Sequence, residues 1–191
     1  IIKNNFIANK DLLTSKETIF ELIKKSIEEA NTKIYLKSLE NDDCKGMGTT
    51  ITLAYIFNKE VCIGHVGDSR AYLIRNDNVI QITEDHSYVN ELIKIGSITK
   101  EEAINHPKKN MITRAVGSSS VIEMDLIARE YEEDDILLLC SDGLSNMLKD
   151  YEISQVFNKE KDIQKACETL AYMANLRGGH DNITVVAIKF N

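Results

Sequence analysis

Between residues 49 and 85 the chain alternates short apolar runs with polar pairs, and each run is rich in β-branched and aromatic side chains. TTITLAYIF, EVCIGHVG, RAYLIRN and VIQIT predict four strands, with NK, DS and ND in the turns between them. Connections this short join antiparallel neighbours, so the four strands are expected to form a meander. Upstream, Ile19, Ile23, Ile27, Ala30 and Ile34 recur at three- and four-residue spacing. That is one apolar stripe on a helix over residues 15–39. Thr14 with Glu17 fits a capping box at its start.

Downstream, a helical patch over residues 86–95 and a second capping box, Thr99 with Glu102, precede the single proline, Pro107. VIEMDLIAREY predicts a strand, and EEDD a turn whose acidic run is read as a solvated face. ILLLC, residues 136–140, reads as a strand apolar on both faces. A helix over residues 162–177 ends at Gly178, and NITVVAIKF closes the chain as a strand. No repeat, low-complexity segment or linker interrupts this pattern. The expectation is one α+β domain over residues 1–191, with antiparallel sheets covered by helices.

Composition narrows the chemistry. Hydrophobic residues make up 43% and charged residues 28%, and the formal net charge is −7. A negative chain of this kind is not built for nucleic acid or an anionic membrane, both of which need clustered positive charge. No apolar run reaches the roughly 20 residues of a membrane span, and no signal peptide is evident. Cys44, Cys62, Cys140 and Cys167 lack C-x-x-C spacing and neighbouring histidines. They read as reduced thiols of a cytoplasmic protein, Cys62 and Cys140 as core residues.

Three aspartates stand out by position. Asp142 follows the buried run ILLLC, Asp68 sits in HVGDSR after a strand, and Asp181 sits in RGGHDNITVV before the last strand. Any one alone is explained as a turn residue beside glycine. Three at strand ends are another matter, because clustered carboxylates repel one another unless a cation neutralises them. All-oxygen sets suit hard divalent ions such as Mg²⁺ and Mn²⁺.

The order of motifs is more specific than any one of them: GMGTT, GDSRAYL, TEDHS, ITRAVG, LLLCSDGL and DNITVV. In that order the chain resembles the bacterial branch of the PPM (PP2C-type) metal-dependent serine/threonine phosphatases, over nearly its whole length. The resemblance implies an αββα sandwich, two antiparallel β-sheets flanked by helices. It implies hydrolysis of phosphoserine and phosphothreonine in proteins by a water activated between two Mn²⁺ or Mg²⁺ ions about 4 Å apart. By position, Asp142 and Asp181 match metal ligands of the family, and Asp68 with Asp142 matches a third metal site. Residues 86–114 match a mobile flap over the active site. A phosphoprotein substrate, a cognate Ser/Thr kinase and a monomeric cytoplasmic enzyme complete the expectation.

Family members begin with a strand carrying an arginine and an acidic motif, then a second strand ending in DGMGGH. This chain opens at IIKNNFIANKD, which corresponds to the segment after both. The family's bridging aspartate, phosphate-binding arginine and general-acid histidine therefore have no counterpart in these 191 residues; further strands ahead of them are expected, a second chain supplying the strands or a truncated homologue being the alternatives. None of Arg70, Arg75, Arg114, Arg129 or Arg177 takes over the arginine's role by pattern. Asp11, Asp42 and Asp43 read as solvated loop residues, and His65 as a packed strand residue. His86 fits a helix N-terminus and His106 shows no partner, while His180–Asp181 precedes a strand rather than joining a helical metal site. Ser69, Ser141 and Asn182 are expected to hydrogen-bond within their turns. The alternative is a catalytically inactive PP2C-fold binding or regulatory module without a complete metal centre.

Overall fold

The stripe at residues 19–34 is the buried face of a long helix. A computed structural model, which describes all of residues 1–191, places α1 at Ile2–Ala8 and α2 at Lys16–Glu40. The capping box falls one residue later than expected, because Ser15 takes the extended N-cap backbone (φ −144°, ψ 163°). Its hydroxyl accepts from the Thr18 N–H, and the Thr18 hydroxyl accepts from the Ser15 N–H. Strands β1 (Ile51–Phe57), β2 (Glu60–Val66), β3 (Arg70–Arg75) and β4 (Asn78–Gln81) follow. Next come helices α3 (Tyr88–Lys94) and α4 (Lys100–Ile104), then strands β5 (Asp125–Glu130) and β6 (Ile136–Cys140). The chain ends with α5 (Asp142–Ser145), α6 (Asp150–Lys159), α7 (Ile163–Leu176) and β7 (Val185–Lys189).

The strands form two antiparallel sheets flanked by helices, with orders β1-β2-β5 and β4-β3-β6-β7. This corrects the expected meander. Its two hairpins exist, but β2 and β3 belong to different sheets. NK and ND are two-residue turns in which both residues are left-handed: Asn58 and Lys59 at φ 45° and 64°, Asn76 and Asp77 at φ 46° and 68°. That geometry follows the twist of the strands it joins. The DS connection follows Gly67, whose φ of +114° redirects the backbone. Beyond it β3 pairs with β6 through five consecutive positions, from Arg70 opposite Cys140 to Ile74 opposite Ile136.

The chain divides into two compact units. The first, Ile1–Asp68 with Asp85–Ala128, has a core of Ile19, Ile23, Ile27, Cys62, Val66 and Val116. Here α2 lies close on β2: a Cβ at Gly64 would sit 2.3 Å from Ile23 Cγ2, which explains a glycine inside a strand. Buried Asn31 on α2 accepts from the Gly117 N–H (2.6 Å) and donates to the Ser119 carbonyl (3.0 Å). The second unit, Ser69–Glu84 with Arg129–Asn191, is built on Tyr72, Leu138, Leu144, Ile153, Phe157 and Leu170. Cys62 and Cys140 are buried and all four cysteines are free. No helix is long and apolar enough to cross a membrane.

The EEDD turn departs from its expected role at its last residue. Asp135 is 2% exposed. Its carboxylate accepts from Arg75 Nε (2.9 Å), Arg75 Nη2 (2.7 Å) and the Glu132 N–H (2.7 Å). Burial alone pushes this carboxyl up; the Arg75 guanidinium and the Glu132 N–H outweigh it and hold the group below its ordinary 3.8. The contribution to stability is therefore full above that value and fades as acid protonates the carboxylate. Asp135→Ala strands the guanidinium and is expected to lower unfolding free energy by about 2–3 kcal/mol at neutral pH, read by urea denaturation. The loss should shrink as the pH falls below the carboxylate range.

Candidate functional site

Antiparallel pairing puts the end of β6 beside the start of β7, with Cys140 opposite Val185. Asp142 follows β6 as the first residue of α5, and Asp181 precedes β7. Ser141 clasps their two loops together. Its N–H donates to the Thr184 carbonyl (3.1 Å), its hydroxyl donates to the Asn182 carbonyl (2.9 Å), and that same oxygen accepts from the Thr184 N–H (2.9 Å). Gly143 lets the backbones touch, since a Cβ there would lie 2.5 Å from the Asn182 oxygen. The turn role expected of Ser141 is thus a link between loops 41 residues apart in sequence. Asn182 takes part through its main chain.

Both aspartates lie in the loops that meet at this edge. Asp142 is half-buried and accepts from Asn146 Nδ2 (3.2 Å), while the exposed Asp181 accepts from the Asn182 N–H (2.6 Å). Two oxygen donors on one rigid edge fit a hard divalent ion that keeps several of its waters. No group of three or more His, Cys, Asp or Glu side chains is gathered in a metal-holding arrangement.

Asp68 belongs to the first unit, in the turn after β2. The residue before it, Gly67, can be nothing else: a Cβ would lie 2.3 Å from Thr50 Cγ2, and its φ is positive. Beneath this turn lies His86, only 5% exposed, its ring 4.9 Å from that of the fully buried His65. His65 Nδ1 is 3.0 Å from the Thr52 hydroxyl. His86 is thus an interior residue just ahead of α3; Ser87 is the N-cap, its hydroxyl accepting from the Asn90 N–H. Nothing in the local pattern marked His86 as buried, because its partners Gly67, Arg114 and Asp125 are all distant in sequence.

Four of the five arginines have structural partners. Arg75 holds Asp135 and Glu132. Arg177, at the end of α7, donates to the Met147 carbonyl (2.8 Å) and pairs with Glu152. The guanidinium and the Lys149 N–H hold the Glu152 carboxyl down to about 2. Arg70 donates to the Tyr72 hydroxyl (3.0 Å), Arg114 contacts Glu123 and Asp125, and Arg129 is exposed on β5. His106 lies against Tyr88 in the segment after α4, and His180 is exposed. Asp11, Asp42 and Asp43 are exposed, as expected.

The chain is similar to known proteins over most of its length. Residues 2–92 match the family model of Protein phosphatase 2C. The serine/threonine phosphatase stp of Listeria innocua serovar 6a is 42% identical over 180 residues, covering 94% of this chain and 71% of that protein. The structure of the S. agalactiae serine/threonine phosphatase superimposes with a TM-score of 0.89 at 43% identity, over 93% of this chain and 73% of that one. The catalytic domain of the serine/threonine protein phosphatase PstP, solved in complex with two manganese ions, gives a TM-score of 0.75 at 35% identity, over 84% of this chain and 67% of that one.

Proposed function

The chain belongs to the protein phosphatase 2C family of serine/threonine protein phosphatases, and from that premise we propose that it hydrolyses phosphoserine and phosphothreonine in proteins with the help of Mn²⁺ or Mg²⁺. The observation that carries this reading is the clasped pair of loops presenting Asp142 and Asp181 at one edge of the β6–β7 pair. Asp142 and Asp181 are the proposed ligands at that edge, and Asp68, in the other unit, is proposed as a ligand by its place in the order of motifs. When bound, the ions supply charge to the phosphoryl oxygens and a water of lowered pKa.

The chain's own residues supply position. Ser141 fixes the separation of the two loops, Gly143 keeps them in contact, and Asn146 orients the Asp142 carboxylate. Oxygen-only donors favour hard ions over zinc, whose protein sites are built mostly on histidine and cysteine. Residues 86–114 are proposed as the flap that meets the protein around the phosphorylated residue. Its exposed Met111 and Ile112 lie beside Lys108, which sits over the Tyr88 ring at 4.9 Å. In the cell the protein would act as a cytoplasmic monomer that reverses a cognate Ser/Thr kinase. Kinship with serine/threonine phosphatases favours turnover over a non-catalytic binding module.

The test is phosphate release from a phosphothreonine peptide by the intact protein, titrated with Mn²⁺. Hydrolysis that rises with Mn²⁺ and is abolished by a chelator is the expected result. No hydrolysis at any Mn²⁺ concentration overturns the proposal in favour of the binding module.

A further inference from the structure

Both polar backbone groups of Gly67 are bound by one residue. The His86 N–H donates to the Gly67 carbonyl (2.7 Å), and the Gly67 N–H donates to His86 Nδ1 (3.1 Å). A neutral imidazole that accepts at Nδ1 carries its proton on Nε2. That nitrogen lies 3.2 Å from both Asp125 Oδ2 and Arg114 Nη1; a guanidinium cannot accept, so with Nδ1 taken by the Gly67 N–H the aspartate is the partner of the Nε2 proton. Arg114 Nη1 in turn reaches Asp125 Oδ1 at 3.3 Å. Gly67 itself has no side chain, so His86 holds it through these two backbone bonds.

His86 also closes the base of the flap. Its carbonyl accepts from the Thr113 N–H (2.8 Å), Ser87 bridges to Ile112, and the Tyr88 N–H donates to the Met111 carbonyl (2.8 Å). The two ends of residues 86–114 thus meet at the residue that holds Gly67. We propose that His86 is a positioning residue for Asp68, tying the turn that carries this carboxylate to the base of the flap. A displacement of either is felt by the other, because a coupling between two elements is reciprocal. The proposal rests on the phosphatase reading for what Asp68 does, but the tie itself is independent of that reading.

Two variants separate this role from plain packing. In His86→Asn the amide oxygen can stand in for Nδ1 toward Gly67 while the contact with Asp125 is lost. His86→Gln keeps a polar group toward Asp125 and loses the acceptor for Gly67. Amide hydrogen exchange at Gly67, followed by NMR without added metal, should be near wild type in the Asn variant. In the Gln variant it should be about tenfold faster, the worth of one buried hydrogen bond. The thermal midpoints of the two should fall together. In hydrolysis of a phosphothreonine peptide, the Mn²⁺ concentration for half-maximal rate should be about tenfold higher for Gln than for Asn. Equal exchange in the two variants, or exchange that only follows the thermal midpoint, overturns the proposal. If the wild type releases no phosphate, the phosphatase reading falls and the exchange difference still decides the role of His86. An active wild type with equal exchange in both variants removes this proposal and leaves that reading standing.

Discussion

Asp142→Asn, made in the intact protein, is expected to remain folded and to lose Mn²⁺-dependent phosphatase activity by more than about 100-fold. The size follows from removing several kcal/mol of charge stabilisation, at a factor of ten per 1.36 kcal/mol. The fold should tolerate the change. An amide oxygen can still accept from Asn146 Nδ2, the backbone bond from the Asn146 N–H to the residue-142 carbonyl (2.8 Å) is untouched, and Leu144 remains fully buried. What is lost is a negative charge at the first position of α5, worth about 0.5 kcal/mol to the helix. A thermal melt therefore separates the two effects. An Asn variant that turns over peptide at the wild-type rate removes Asp142 from the site. Asp134→Asn provides the control, since that carboxylate is exposed on the EEDD turn and pairs only at the surface with Lys189.

Gly143→Ala is expected to be the most damaging small substitution in the second unit. The φ of Gly143 is not positive, so the argument is one of space alone. The added methyl would sit 2.5 Å from the Asn182 oxygen and 3.0 Å from its carbonyl carbon, both backbone atoms with no rotamer to adopt. The loop before β7 must move outward, and the Ser141 hydroxyl loses its bond to that carbonyl. Overpacking of this kind costs about 2 kcal/mol. Displacing a support of the carboxylates should weaken Mn²⁺ activation by roughly 10- to 100-fold. Urea unfolding and a Mn²⁺ titration of phosphate release measure the two separately. Unchanged Mn²⁺ activation would mean that the clasp does not set the position of Asp142 and Asp181.

The parts that were legible in the sequence are those decided locally. The Ile19–Ile34 stripe, the left-handed hairpin pairs NK and ND, and the Thr99–Glu102 box each follow from residues within one turn of one another. The strand-end placement of Asp68, Asp142 and Asp181 was also readable, because apolar runs show where strands stop. Partners distant in the chain were not. Asp135 and Glu132 sit in the same acidic turn and both pair with Arg75 far upstream, yet only Asp135 is buried. The pairing of β3 with β6 in place of β2 depends on a strand that lies past two helices. Ser141 read as an ordinary turn serine for the same reason. Helix α6 had a usable signal in Ile153, Val156 and Phe157 at three- and four-residue spacing, all of them buried.

The sheet order β4-β3-β6-β7 also bears on how the chain is made. The β3–β4 hairpin leaves the ribosome long before its partner strand, since Leu73 pairs with Leu137. At a synthesis rate of about 5–20 residues per second, that hairpin waits roughly 3 to 13 s with the apolar face around Tyr72 and Ile74 uncovered. The first unit has most of its core translated by then, whereas the second must hold an open edge until β6 and β7 arrive. Slowing translation after residue 81 should therefore raise the demand on holding chaperones for the nascent chain, while a pause before residue 70 should not.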